Sequence, residues 1–150
     1  MKKRVMLQLP YSDGLKAVFE GRDDIEVDHF TELGEDNIQQ HIGNYDAVIL
    51  GIAPLTPRLI EAADNLKIAS RFGVGYDAVN VPALTKAGIP LSIAGIANSV
   101  TVAEHALFFM LALTKQALAY DRETRKGNGA IRFEGPAFDL AGRTVLIMGF

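Results

Sequence analysis

Short apolar runs alternate with helical patterns along residues 4–94, and this alternation constrains the fold more than any other feature of the chain. The runs read as strands at Arg4–Leu9, Ile25–Phe30, Ala47–Gly51, Leu66–Phe72 and Ile89–Ala94. Helical patterns lie between them at Leu15–Glu20, Glu35–Ile42, Pro57–Ala63 and Pro82–Lys86. Strands joined by helix-sized connections pair in parallel. The sequence therefore predicts an α/β fold with a flavodoxin-like, doubly wound parallel sheet.

The punctuation between these runs agrees with the prediction. Thr56-Pro57 is typical of an N-cap followed by proline at the first helical position, and Asn80-Val81-Pro82 is a similar start. Gly88 stands where a left-handed glycine would end the helix.

The pattern changes after Asn98. Residues Ser99–Arg125 contain no Gly or Pro and predict one long helix, with capping-box spacing from Thr101 to Glu104. Apolar side chains cover most of its sides, which favours burial between two domains or two subunits.

The last part of the chain predicts the beginning of a second domain. A Gly-rich polar loop over 126–136 is followed by an apolar strand, Arg143–Met148, and by Gly149. A buried strand that ends in glycine is how a nucleotide-binding βαβ unit begins. We therefore expect a flavodoxin-like domain over 1–98, then a long helix and the start of a Rossmann domain over 99–150.

Composition excludes several classes of protein. The formal net charge is -3, which gives no indication of a nucleic-acid partner. The chain has no cysteine, and its three histidines form no helical pair, so we expect no metal site. The longest apolar run, Ala106–Leu113, is well short of the roughly 20 residues that span a bilayer. We expect a soluble, cytoplasmic protein with no membrane partner.

The glycine motif after the fourth apolar run has two interpretations. Gly73-x-Gly75-x-x-Ala78 matches the dinucleotide-binding fingerprint of a strand, a glycine turn and a helix start. That fingerprint requires an acid roughly 20 residues further on to hold the ribose hydroxyls. There is no Asp or Glu between Asp77 and Glu104. We therefore interpret the motif as something other than a cofactor cradle.

Three stretches together resemble the D-isomer-specific 2-hydroxyacid dehydrogenase family, which includes phosphoglycerate, glyoxylate/hydroxypyruvate and formate-dehydrogenase-like enzymes. They are Ser70–Asp77, Asn98–His105 with the apolar helix after it, and Leu140–Gly149. Ala78 and Asn80 depart from the family pattern, which often has Asn and Asp there. The resemblance implies a flavodoxin-like substrate domain, a second domain that binds NAD or NADP, and a homodimer formed through the 99–125 helix.

The resemblance also implies roles for particular residues. The backbone N–H groups of Val74 and Gly75 would hold the substrate carboxylate, and Val74 would also border the cofactor. Asn98 would bind substrate, or else serve only as an N-cap. Val102 would touch the nicotinamide, or else pack in the core, and Gly149 would begin the cofactor's glycine run. For Arg71, a carboxylate clamp and a structural ion pair are both open, and the latter is favoured.

The implied reaction moves a hydride between the nicotinamide and C2 of a 2-hydroxy or 2-oxo acid. In the family a His–Glu pair and an Arg provide acid–base chemistry and carbonyl polarisation. None of the three maps onto this chain, so we place no catalytic residue in it and expect the chain alone to be inactive. The alternatives are an NAD-sensing, corepressor-like protein and another non-catalytic ligand-binding module on the same fold.

Overall fold

A computed structural model describes residues 2–8, 12–32 and 34–148 of the chain. Five strands form one parallel sheet, and they are β1 (Lys3–Leu7), β2 (Ile25–His29), β3 (Ala47–Leu50), β4 (Ile68–Arg71) and β5 (Leu91–Ile93). Their spatial order is β2-β1-β3-β4-β5. This is the order of flavodoxin-like sheets, so the predicted fold class is confirmed.

Helices follow the strands as the sequence predicts. They are α1 (Asp13–Phe19), α2 (Glu35–Ile42), α3 (Pro57–Glu61) and α4 (Val81–Ala87). The predicted caps are present, since the Thr56 hydroxyl accepts from the Leu59 N–H and the Asn80 side chain accepts from the Ala83 N–H. Gly88 ends α4 in the left-handed conformation, with a φ of 70°.

The core lies between the sheet and the helices α2, α3 and α4. Met6, Val48 and Leu50 face this layer from the strands and are fully buried. Ile38, Ile42, Leu59 and Leu84 pack against them from the helices. Each such side chain stabilises the fold by roughly 1.5–3 kcal/mol through burial, which holds the strand ends in a fixed arrangement.

The chain divides into two compact units, unit 1 (Met1–Ala97) and unit 2 (Asn98–Phe150). Unit 2 contains α5 (Ser99–Thr114), α6 (Ala117–Arg125) and α7 (Ile131–Glu134). The single helix predicted over 99–125 is therefore wrong, because Gln116 adopts a left-handed φ of 52° and interrupts it. The capping box is wrong as well. The helix already begins at Ser99, so Thr101 and Glu104 lie inside it.

The predicted strand over Arg143–Met148 does not form in the structure. Its residues belong to no strand and are exposed. A strand needs a neighbour for its backbone N–H and C=O groups, and no described strand of unit 2 provides one. Among the described residues, no helix has the length and apolar character needed to cross a membrane.

Candidate functional site

The loop over 72–80 leaves the sheet at the carboxyl end of β4, where parallel α/β sheets bind ligands. Its beginning is fixed on both sides. The Phe72 N–H donates to the Leu50 carbonyl of β3 at 3.0 Å, and the Gly73 carbonyl accepts from the Ala94 N–H after β5 at 3.1 Å. Its end is fixed by Leu55, which exchanges backbone hydrogen bonds with Ala78 and Asn80. The loop is therefore held at both ends.

Between these anchors the backbone donors of Val74 and Gly75 are unused. Among the residues that the structure describes, no acceptor is paired with either N–H group. Gly73 sets their direction, because its φ of 153° lies in a region that L side chains rarely adopt. Successive unpaired N–H groups of this kind form a site for an anion. We call the Val74 and Gly75 N–H pair the cradle.

The guanidinium of Arg71 lies directly over Gly73. A Cβ atom on Gly73 would be 2.7 Å from Arg71 Nη1, so the end of this flexible side chain would have to move aside if residue 73 carried a Cβ. The same Nη1 donates to the Phe72 carbonyl. No carboxylate pairs with Arg71 among the described residues, so the favoured interpretation of a structural ion pair is wrong. The cation is instead positioned beside the cradle.

Gly75 differs from Gly73 in what it requires. Its φ is not in the left-handed region, and an added Cβ would make an ordinary contact of 3.4 Å with Asp77 Oδ2. Of the two glycines in the motif, only Gly73 therefore has an unusual dihedral angle. Asp77 is exposed and is the one charged residue within the 72–80 loop.

The remaining predicted residues lie in unit 2. Asn98 occupies the N-cap position of α5, yet its side chain makes no capping hydrogen bond. Val102, which the sequence allowed as a core residue, is 57% exposed. Both side chains are thus available to a ligand. Gly149 lies outside the described residues.

A buried amide at the end of β1 has no signal in the sequence. Gln8 is 4% exposed, and neither its Nε2 nor its Oε1 has a hydrogen-bond partner among the residues that the structure describes. Its backbone N–H donates to the Ile49 carbonyl of β3, which places it where the strand order reverses. Ligands of this fold bind in the crevice at that reversal. A lone Gln after an apolar run predicts nothing of this kind.

A clear electrostatic perturbation in unit 1 lies away from the loop. Burial, and then a hydrogen bond to Asp28 at 2.9 Å, raise the pKa of Tyr45 to about 12. Arg4 donates to the same carboxylate and lies over the Tyr45 ring. This cluster ties β1, β2 and the start of β3 together. The cradle, in contrast, uses backbone donors that do not titrate.

Comparison with known proteins places the chain in one family. The family described as D-isomer specific 2-hydroxyacid dehydrogenase, catalytic domain, matches residues 6–134. D-3-phosphoglycerate dehydrogenase of Archaeoglobus fulgidus is 30% identical over 126 residues, which are 83% of this chain and 24% of that protein. The enzyme of the same name from Synechocystis is 41% identical over 91 residues, 60% of this chain and 16% of that protein.

A solved structure also resembles this chain. The NAD-dependent formate dehydrogenase of Staphylococcus aureus in complex with NAD superposes with a TM-score of 0.70 at 28% identity, covering 87% of this chain and 44% of that one. The chain thus spans about a quarter or less of the two curated relatives above.

Proposed function

Because this chain belongs to the D-isomer specific 2-hydroxyacid dehydrogenase family, we propose that unit 1 is the substrate-binding domain of an NAD(P)-dependent oxidoreductase. The enzyme would transfer a hydride between the nicotinamide and C2 of a small 2-hydroxy or 2-oxo acid. The observation that carries this proposal is the cradle, two adjacent backbone donors without acceptors in a loop held at both ends.

The cradle suits a carboxylate on chemical grounds. A carboxylate has two oxygens that each accept a hydrogen bond, and charge-assisted bonds of this type are roughly twice as strong as neutral ones. Arg71, with no ion-pair partner, adds a positive charge beside the cradle. A substrate held by its carboxylate would keep C2 at a fixed distance from the loop, which is the positioning that hydride transfer requires.

Unit 2 would contribute Asn98 and Val102. The family resemblance assigns Asn98 to the substrate and Val102 to the nicotinamide. The Asn98 side chain makes no capping hydrogen bond and Val102 is exposed, which leaves both side chains open to a ligand. The cofactor, NAD or NADP, would supply the hydride. The sequence offers no match to the family's His–Glu pair or Arg, so we propose that this chain binds the acid without turning it over.

Unit 2 also supports the proposal of a homodimer through the 99–125 segment. Most large apolar side chains of α5 are exposed, and α5 and α6 form an open groove of about 480 Å³ lined by Phe108, Phe109, Leu113 and Leu118, among others. Exposed apolar surface of this kind marks an association site. A second copy of the chain, contributing the same helices, is the partner that we propose.

A titration of the ¹⁵N-labelled chain with pyruvate tests the proposed function. We expect the amide resonances of Val74 and Gly75 to shift with pyruvate, and to remain in place with methyl pyruvate, which has the same shape without the charge. Equal shifts with both compounds, or none with either, would contradict a carboxylate cradle. NADH oxidation by the chain and pyruvate would contradict the assignment of catalysis to groups outside it.

A further inference from the structure

The charges around the cradle are few and nearly balanced. Among the described residues, those that follow the strands at the carboxyl edge of unit 1 are 8, 12, 30–32, 34, 51–56, 72–80 and 94–97, and none of them is Lys, Arg or His. Their charged residues are Glu32 and Asp77. The strand ends add His29 and Arg71. Arg58, in the first turn of α3, is already paired with Asp36 at 2.8 Å.

This inventory is sufficient for one carboxylate and not for a second anionic group. A phosphate group carries close to two negative charges at neutral pH and is usually held by several cationic or N–H donors. Beside the cradle there is a single cation, Arg71, and Asp77 follows two residues after Gly75. A phosphate on the substrate would therefore have no adequate counter-charge from unit 1.

The same edge presents apolar side chains instead. Unit 1 has eight large hydrophobic residues that are exposed among those described, and six of them lie at or beyond the carboxyl ends of β3, β4 and β5. These six are Ile52, Phe72, Val74, Tyr76, Ile93 and Ile96. Exposed apolar residues are normal when scattered singly, whereas clustering at a ligand-binding edge indicates a binding surface.

Ile52 and Phe72 are placed to meet the substrate's side chain. Leu50 and Arg71 are register partners, and the Phe72 N–H donates to the Leu50 carbonyl, so the loops beginning at 51 and 72 leave the sheet side by side. Ile52 is 82% exposed and Phe72 is 64% exposed. Together they form an apolar rim next to the cradle.

We propose that the acid bound by this chain has a short apolar side chain, as in 2-hydroxybutyrate, and that it has no phosphate group. The proposal rests on the proposed function, since it assumes that the carboxylate occupies the cradle. It separates this chain from the relatives named D-3-phosphoglycerate dehydrogenase.

Three acids of related structure test the proposal, namely D-2-hydroxybutyrate, D-glycerate and 3-phospho-D-glycerate. Binding is measured on the ¹⁵N-labelled chain from the Val74 and Gly75 amide shifts. We expect 2-hydroxybutyrate to bind about fourfold more tightly than glycerate, because one buried methyl or methylene group contributes about 0.8 kcal/mol. We expect 3-phospho-D-glycerate to bind no more tightly than glycerate.

An engineered cation provides the matched variant. Ile52→Arg should shift the preference toward 3-phospho-D-glycerate by about tenfold relative to 2-hydroxybutyrate, since it adds a donor fork for phosphate at the rim. Val18→Arg is the control, because Val18 is exposed on α1 and the substitution changes the net charge equally. Tighter binding of the phosphorylated acid by the unmodified chain, or equal binding of all three acids, would overturn the inference and leave the cradle intact. No amide shift with any acid would instead refute the proposed function.

Discussion

Replacement of Gly73 by alanine adds a single methyl group to the loop and tests the backbone conformation described for it. Gly73→Ala places a Cβ on a residue whose φ is 153°. Holding a non-glycine residue in such a region costs on the order of 1–3 kcal/mol. The added Cβ would also lie 2.7 Å from Arg71 Nη1, although the end of a flexible side chain moves away at little cost. The dihedral strain therefore dominates the expected loss of stability.

The expected change is large enough to measure by thermal unfolding followed by circular dichroism. Unit 1 covers residues 1–97, and in a domain of this size about 1 kcal/mol lowers Tm by roughly 4–8 °C. We expect Gly73→Ala to lower Tm by at least that amount and to abolish the pyruvate-dependent shifts of Val74 and Gly75. The loop would lower its strain by turning these N–H groups away from the cradle.

Two neighbouring glycines serve as controls. In Gly95→Ala no atom lies within 4 Å of the new Cβ, and residue 95 has no left-handed φ. Its free energy of unfolding should therefore change by no more than about 0.5 kcal/mol, as for a surface substitution, and its Tm should change correspondingly little. Gly75→Ala should also fold normally, since its Cβ makes an ordinary contact. If Gly73→Ala had the same Tm as Gly95→Ala and kept the pyruvate-dependent shifts of Val74 and Gly75, the loop would not have the conformation described above.

Four further changes have defined outcomes. Gln8→Leu should raise the urea midpoint by the equivalent of about 1 kcal/mol, because it removes a buried amide without partners; a lower midpoint would mean that the amide is paired. Because the pKa of Tyr45 is raised, the stabilising contribution of Tyr45 is complete below pH ~10 and is lost as the pH rises from about 10 towards 12. The urea midpoint should therefore fall less between pH 9 and pH 11 in Tyr45→Phe than in the unmodified chain. Leu113→Arg should reduce the sedimentation coefficient of the associated chain, whereas Val18→Arg should not. Asn80→Ala should cost about 1 kcal/mol in chemical unfolding, and an unchanged midpoint would show that the cap of α4 contributes little.

The sheet could be predicted because the strands fall in short stretches rich in β-branched or apolar residues and bounded by turn residues, most clearly at β3, which is apolar throughout. Leu66 shows the limit of the method. It belongs to the apolar run that predicts the fourth strand, but its N–H bonds to the Ala63 carbonyl in a turn before β4 begins. Hydrophobicity marks which residues are buried, whereas the end of a strand depends on which backbone groups find a partner.

The two wrong predictions in unit 2 have different physical causes. Lys115 and Gln116 are good helix formers, so nothing in their composition signals a break, and the left-handed φ at Gln116 is a property of the folded chain. The stretch Arg143–Met148 has the composition of a strand, but composition gives only a preference, and pairing requires a neighbouring strand. The first error concerns backbone conformation and the second concerns a missing partner, and neither can be read from local sequence.

The glycine motif itself shows why a pattern match and a binding site can differ. A dinucleotide fingerprint functions because its last glycine opens a helix whose first N–H groups are free to hold a pyrophosphate. Here α4 begins only at Val81, and its first turn has no such donors. Pro82 has no N–H, the Val81 N–H bonds to the Val79 carbonyl, and the Asn80 side chain occupies the Ala83 N–H. The unused donors lie instead in the loop, at Val74 and Gly75, where two N–H groups match the two oxygens of a carboxylate and not the several oxygens of a pyrophosphate.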